Sequence, residues 1–222
     1  MICDYQIIRT GSQGNAVVLG KSILIDCGVP FKALSSCFRG LRLVLLTHIH
    51  SDHFNRTTLR SLARERPTLR FGCGPWLVGA LAECVGKEQI DVLTPGYKFD
   101  YGFCCIYPVK LFHDVPNCGY KVHFPSSKIF YATDTGNLNG IEAKNYDLYL
   151  VEANHGAEEI RQRIRDKKAE GIFPYERRAM ENHLSVEQCN NFIYSNIGPG
   201  GEYVYLHAHL EENGRDDGCS PS

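Results

Sequence analysis

The sequence predicts a mixed α/β sandwich. Leu41–Leu46 is a continuous apolar run of strand length, the pattern of a strand buried on both faces. Segments with strand and helix spacing alternate along most of the chain. Between residues 90 and 132, however, strand segments follow one another with no helix between them, which a simple parallel wheel would not show. The 222 residues are enough for a substantial core in one large domain.

Taken in order, Ile7-Ile8, Ala16–Leu19 and Ser22–Asp26 read as strands, with "GSQGN" (11–15) and "GKS" (20–22) as the turns between them. Pro30 to Phe38 reads as a short helix, followed by the Leu41–Leu46 strand. Residues 55–66 have helical spacing, with Asn55 placed to cap them. Leu69–Phe71 is a short strand and Trp76–Cys84 a helix. Strands are then expected at Ile90–Leu93, Cys104–Lys110, Tyr120–Phe124, Ile129–Tyr131 and Leu148–Glu152. Glu158–Ala169 is a charged helix, Val186–Tyr194 another, and Tyr203–His207 a last strand. These elements are expected to form a single domain over residues 1–213, with 214–222 a frayed tail.

Composition narrows the function classes. A formal net charge of −1 provides no overall field toward nucleic acid or membrane, so a nucleic-acid partner must meet a local basic patch. No apolar run reaches the roughly 18–20 residues of a membrane span, and "MICDYQIIRTGSQGN" does not have the pattern of a secretory leader. The ten cysteines are scattered without a CxxC pair, which reads as reduced thiols in a cytoplasmic protein.

"LLTHIHSDHF" (45–54) carries the chemistry. Directly after the buried strand it places His48, His50, Asp52 and His53 within six residues. In extended chain, residues two apart point the same way, so His48 and His50 can grip one metal. Asp52 and His53 fall where the chain turns into the next helix and can reach a second. Imidazole and carboxylate suit Zn²⁺, Mn²⁺ or iron, and the absence of cysteine from the cluster excludes a structural zinc finger. Further ligands must come from other strand ends. His113 follows "YPVKLF", Asp134 follows "IFYA", and "ENHLS" and "YVYLHAHL" offer His183, His207 and His209. A carboxylate at Asp134 could bridge two metals. His207 and His209 share a strand face, so only one is expected to serve as the last ligand.

HxHxDH, a later lone histidine, a strand-end aspartate and a final histidine resemble the metallo-β-lactamase fold, which implies an αββα four-layer sandwich with two metals at the edge of its mixed sheets. "GSQGNAVVL", "ILIDCGVPFKAL", "LLTHIHSDH", "FYATDTG", "YLVEANH", "YERRAMENHLS" and "HLEENG" run in the order seen in the WalJ/YycJ-type family of small nucleases, related to RNase J and tRNase Z. This resemblance covers about residues 5–213. It implies that His48, His50 and His113 hold one metal, that Asp52, His53 and His209 hold the other, and that Asp134 bridges. His183 would contact the scissile phosphate or leaving group, making Asp52, Asp134 and His183 the catalytic set. Two departures from the family pattern are Gly156, where an aspartate is usual, and "HLEENG" in place of HLSxxN.

The implied function is a metal-dependent hydrolase that cleaves phosphodiester bonds of nucleic acid, in the manner of a DNA exonuclease, with water activated by two divalent ions (Zn or Mn, with Fe as a further option). The competing reading is a small-molecule hydrolase acting on a cyclic phosphodiester, lactone or thioester. Residues 161–180 carry seven Arg/Lys against three Asp/Glu and form the visible basic patch. Ser12, Asn15, His155, Arg177 and Arg178 are the candidate substrate-binding residues, and Tyr175 could stack on a base. No protein partner is indicated.

Overall fold

The computed structural model describes residues 4–207. The expected domain end at 213, the tail 214–222 and His209 lie outside them. One sheet runs in chain order through β1 (Tyr5–Arg9), β2 (Ala16–Leu19), β3 (Ile23–Ile25), β4 (Leu43–Leu46), β5 (Arg70–Cys73) and β6 (Ile90–Val92). The second contains β7 (Phe99–Asp100), β8 (Cys105–Leu111), β9 (Asn117–Phe124), β10 (Ser127–Ala132), β11 (Leu148–Glu152) and β12 (Glu202–Leu206), again in chain order. Each sheet begins antiparallel and turns parallel, from β3 onward in the first and from β10 onward in the second. The helices are α1 (Arg56–Glu65), α2 (Val78–Ala82), α3 (Ala157–Ala169), α4 (Glu176–Asn182) and α5 (Val186–Asn196).

Strand alternation builds three apolar layers from one chain. Val17, Leu19, Leu43 and Leu45 face the second sheet, where they meet Ile106, Tyr120, Val122 and Leu150. Their neighbours Ala16, Val18, Val44 and Leu46 face the other way, into Leu59 and Leu62 of α1. On the far side of the second sheet, Phe130, Tyr149 and Val151 pack against Cys189, Phe192 and Ile193 of α5. The result is the expected αββα sandwich. All four residues of β4 are completely buried, which is why that strand reads as an unbroken apolar run.

Three elements differ from expectation. The helix expected from Pro30 forms two short 3₁₀ turns, Phe31–Leu34 and Phe38–Gly40, because Ser35 and Ser36 are weak helix formers and only Leu34 of these turns is buried. β7 has two residues, too few to show a period. α4 is a helix with no counterpart among the expected elements, because it buries none of its residues and so carries no apolar stripe. The eight described cysteines are free thiols, and no helix among the described residues is long and apolar enough to cross a membrane.

The strand ends position the site. β3, β4, β8, β10, β11 and β12 all finish at one edge of the sandwich. Register brings Ala132 beside Val151 and Glu152 beside Leu206, so the residues just beyond β10 and β12 converge around the end of β11.

Candidate metal centre

Asp26, Asp134 and His207 stand at the ends of β3, β10 and β12, and all three adopt left-handed backbone, with φ of 59°, 56° and 51°. Such residues cost about 1–3 kcal/mol each and persist where their surroundings hold them. Here the three amides donate to Leu45 O (2.8 Å), Glu152 Oε2 (2.8 Å) and Thr10 Oγ1 (2.8 Å) respectively.

His48 Nε2 lies 3.1 Å from His50 Nδ1, which lies 3.3 Å from His113 Nε2. The far nitrogens fix the tautomers. The Thr47 hydroxyl gives its one proton to Asp26 and therefore accepts from His48 Nδ1 at 3.0 Å. His113 Nδ1 donates to the Asn182 carbonyl at 3.1 Å, and His50 Nε2 faces Asp114 at 3.4 Å. Three lone pairs thus point at one another. Zinc–nitrogen bonds of about 2.0–2.1 Å in a tetrahedron require nitrogens about 3.3–3.4 Å apart, so the trio is spaced for a cation. Burial lowers the proton affinity of His48 strongly, and of His113 as well, so both are neutral and ready to ligate.

A second cluster adjoins the first. His53 is completely buried; its Nδ1 donates to Asp26 Oδ2 at 2.7 Å, and its Nε2 lies 2.8 Å from Asp134 Oδ2 and 3.6 Å from Asp52 Oδ2. Burial opposes charge on this ring, but Asp26 and Asp134 outweigh it and hold His53 well above the usual imidazole range. An imidazole set between carboxylates calls for a cation, whether proton or metal. Asp134 is itself held far below the ordinary carboxylate range, because His53 and His207 outweigh the burial that would raise it. Its other oxygen lies 2.9 Å from His207 Nδ1 and 3.4 Å from His183 Nδ1. Asp134 is the residue shared by the groupings His48–His53–Asp134 and Asp134–Glu152–His183–His207. His207 therefore stands in the described cluster.

The loop carrying these ligands rests on residues 15 and 27–28. Asn15 is buried; its amide nitrogen reaches Asp52 O (3.3 Å) and His53 Nε2 (2.8 Å), so the side chain braces the ligands. A Cβ on Gly28 would sit 1.6 Å from the Asp52 carbonyl oxygen. Gly28→Ala is expected to shift the Asp52–His53 segment and weaken metal binding about 10–100-fold, the usual cost of disturbing the support of metal ligands. Competition against a zinc chelator measures it, and unchanged affinity would show that the segment is not held by this contact.

An open cleft of about 300 Å³ leads to the clusters, and its walls include Ser12, Asp52, His113, His183, Tyr175 and Arg178. Arg178 is exposed and pairs with Asp114. Arg177 and His155 are not on the cleft wall; His155 bridges to Ser185 beside α5. The basic stretch is largely neutralised by acids just upstream or within it: Arg163 pairs with Glu159 (2.6 Å), Arg165 with Glu158 (2.8 Å), and Lys167 with Glu176.

The family model for the beta-lactamase superfamily domain matches residues 21–191. The chain belongs to this superfamily. Among proteins of known activity, this superfamily member is similar to the exodeoxyribonuclease WalJ of Streptococcus pneumoniae serotype 2 (strain D39), with 27% identity over 94% of this chain and 82% of the relative. Its fold is that of the metallo-β-lactamase fold protein YhfI from Bacillus subtilis (TM-score 0.68, 17% identity, 92% of this chain and 85% of that one). It is likewise similar to the short form of human tRNase Z (TM-score 0.65, 16% identity, 92% of each chain). The chain is a metal-dependent hydrolase of the metallo-β-lactamase fold.

Two acidic residues that support the superfamily site were not singled out in the sequence. Asp26 accepts from Thr47 N (2.9 Å), the Thr47 hydroxyl and His53. Glu152 is completely buried and accepts from Asp134 N (2.8 Å), Thr135 N (3.4 Å), Leu184 N (2.6 Å) and His183 Nδ1 (2.9 Å). The signal for both is a lone acid ending an apolar strand, "ILID" and "YLVE", where burial without a partner would be prohibitive.

Proposed function

We propose that the chain is a phosphodiesterase acting on nucleic acid, with the exonuclease-like activity of its relative WalJ, and that it works with two divalent ions, zinc or manganese, in the cytoplasm. On this reading His48, His50 and His113 hold one ion. Asp52, His53 and His207 hold the other, with Asp134 between them. Ions bound there supply Lewis-acid activation of water and of a phosphoryl oxygen at neutral pH.

The observation that carries the reading is the placement of His183. Its Nδ1 is committed to Glu152, which leaves Nε2 as the ring nitrogen able to serve the cleft. Burial would lower its proton affinity, but Glu152 and Asp134 more than offset that and raise it above the ordinary imidazole value. His183 therefore keeps its proton to higher pH than an ordinary imidazole, and in that form it can pass the Nε2 proton to the departing oxygen of a sugar. Asp134 and Asp52 would orient the attacking water, and Arg178, on the cleft wall, would meet an entering phosphate.

The alternative, a small-molecule hydrolase, is favoured by the pairing of α3 cations with their own acids, which leaves no continuous basic track. The two readings separate in one assay. With Mn²⁺ or Zn²⁺, labelled DNA carrying a 5′ phosphate should be degraded, and turnover of a lactone alone would reject the nuclease reading. His183→Ala should lower kcat on DNA about 10²–10⁴-fold but have far less effect on a p-nitrophenyl phosphodiester, whose leaving group needs no proton. Equal losses on both would remove His183 from the acid role.

A further inference from the structure

The hairpin joining α3 to α4 displays two large aromatic rings that stand largely exposed among the described residues. Phe173 is 71% exposed and Tyr175 74%, their ring centroids are 5.3 Å apart, and Ile172 and Met180 are exposed beside them. Exposure of this kind normally comes from a loose loop. This tip is tightly built. α3 ends in Gly171 at φ +71°, with Gly171 N bonded to Lys168 O and Ile172 N to Lys167 O, the double closure of a Schellman turn. Pro174, between the two rings, is buried, and its carbonyl accepts from Arg177 N to start α4. Lys167 pairs with Glu176 across the hairpin, and Arg178 ties α4 to Asp114.

The tip is also wired to the metal centre. Tyr175 is part of the cleft wall, the Asn182 carbonyl at the end of α4 holds His113, and His183 is the C-cap of the same helix. At 1.5 Å per residue, the eight positions from Tyr175 to His183 span about 12 Å. Successive nucleotides of a stacked strand rise about 3.4 Å, so the rings stand within about four nucleotides of the reacting phosphate. Lys168 and Arg177 are exposed on the same hairpin and have no ion-pair partner among the described residues. Rings flanked by uncommitted cations beside a phosphodiester centre match the faces and charges of unpaired bases on a strand.

We infer that Phe173 and Tyr175 form a stacking platform for the unpaired end of the nucleic-acid strand being cut. This rests on the nuclease reading above and adds that the substrate is single-stranded, or frayed, for the few nucleotides next to the cut. A base-paired end offers no free base face to the platform, so a blunt duplex should bind more weakly than a single strand or an overhang.

The test uses the metal-loaded protein and a fluorescent twelve-nucleotide strand with phosphorothioate linkages, read by anisotropy. Phe173→Ala/Tyr175→Ala should raise the Kd for the single strand about tenfold or more, the usual consequence of removing stacking from a bound base, and should narrow the gap between overhang and blunt duplex. Tyr97→Ala, 67% exposed on a turn outside the cleft wall, should leave binding and cleavage unchanged. Because both platform rings are exposed, melting temperature should hold in every variant. An unaltered Kd in the double variant, with DNA still cleaved, would overturn the platform and spare the nuclease reading. A double variant that shifts a dimer to monomer by sedimentation, at unaltered Kd, would assign the rings to self-contact and equally overturn it. If the wild-type protein neither binds nor cuts nucleic acid, the nuclease reading fails and the platform with it.

Discussion

Asp134→Asn is expected to lower metal-dependent hydrolysis at least about 10³-fold, some 4 kcal/mol of transition-state stabilisation, and to reduce the ions retained after dialysis from two to one or none. The choice of asparagine separates charge from strain. Position 134 is left-handed at φ 56°, a conformation asparagine tolerates and alanine does not. The turn should survive, and with it the bond from the residue 134 amide to Glu152. What disappears is the charge shared by His53 on one carboxylate oxygen and His207 on the other. An amide offers those rings one acceptor and one donor, and the donor opposes a metal on its side. Metal content by plasma mass spectrometry and kcat/KM on one substrate decide the matter. Two retained ions with undiminished turnover would show that Asp134 is not a ligand. His207→Ala is expected to lose the same ion and His209→Ala to keep it, which settles which of the two closes the site.

The fold and the ligand loop could be read from the sequence for the same reason: both depend on local spacing. β4 announced itself because both its faces are buried, and the cluster after it because four ligating side chains fall within six residues. His113, Asp134 and His183 could be placed at strand or helix ends but not brought together, since convergence depends on the register of β10 with β11 and β11 with β12. Asp26 and Glu152 were missed because each is one acid in an otherwise apolar segment, and only the folded partners reveal its purpose. α4 was missed for the opposite reason. It is a helix that lines the cleft instead of packing into a core, so its exposed face gives no period. The net basic count of 161–180 overstated the local field, because Glu158 and Glu159 sit just outside that window and bind back across one or two helical turns.

Glu152→Gln should be the most damaging isosteric change in the molecule, lowering stability by about 2–4 kcal/mol and the melting temperature by roughly 10 °C for a chain of this size. The reason is a count of donors. Oε2 accepts from the Asp134 amide and His183 Nδ1, and Oε1 accepts from the Thr135 and Leu184 amides, with the three amide bonds buried and only His183 reaching the cleft. All four partners are N–H groups. A glutamine has one oxygen, so whichever way its amide turns, its NH₂ faces at least one buried backbone N–H that it cannot satisfy. The consequences run beyond stability. The Asp134 and Thr135 amides converge on this carboxylate as a nest, and the anion there is what holds Asp134 left-handed with its own carboxylate aimed at the metal centre. Leu184 N and His183 fasten the end of α4 to the same point. Loss of the charge therefore loosens a candidate metal ligand and the candidate acid together, and also lowers the proton affinity of His183. The two variants should part company under chelation. Asp134→Asn should fall furthest below wild type while metal is bound, because lost ion binding then adds to the loss of its pairing with His53 and His207. Glu152→Gln should melt below wild type with or without chelator, because its cost lies in buried donors. A Glu152→Gln protein with wild-type melting in both conditions would mean that the four bonds are dispensable and that the strained turn at Asp134 is held by something else.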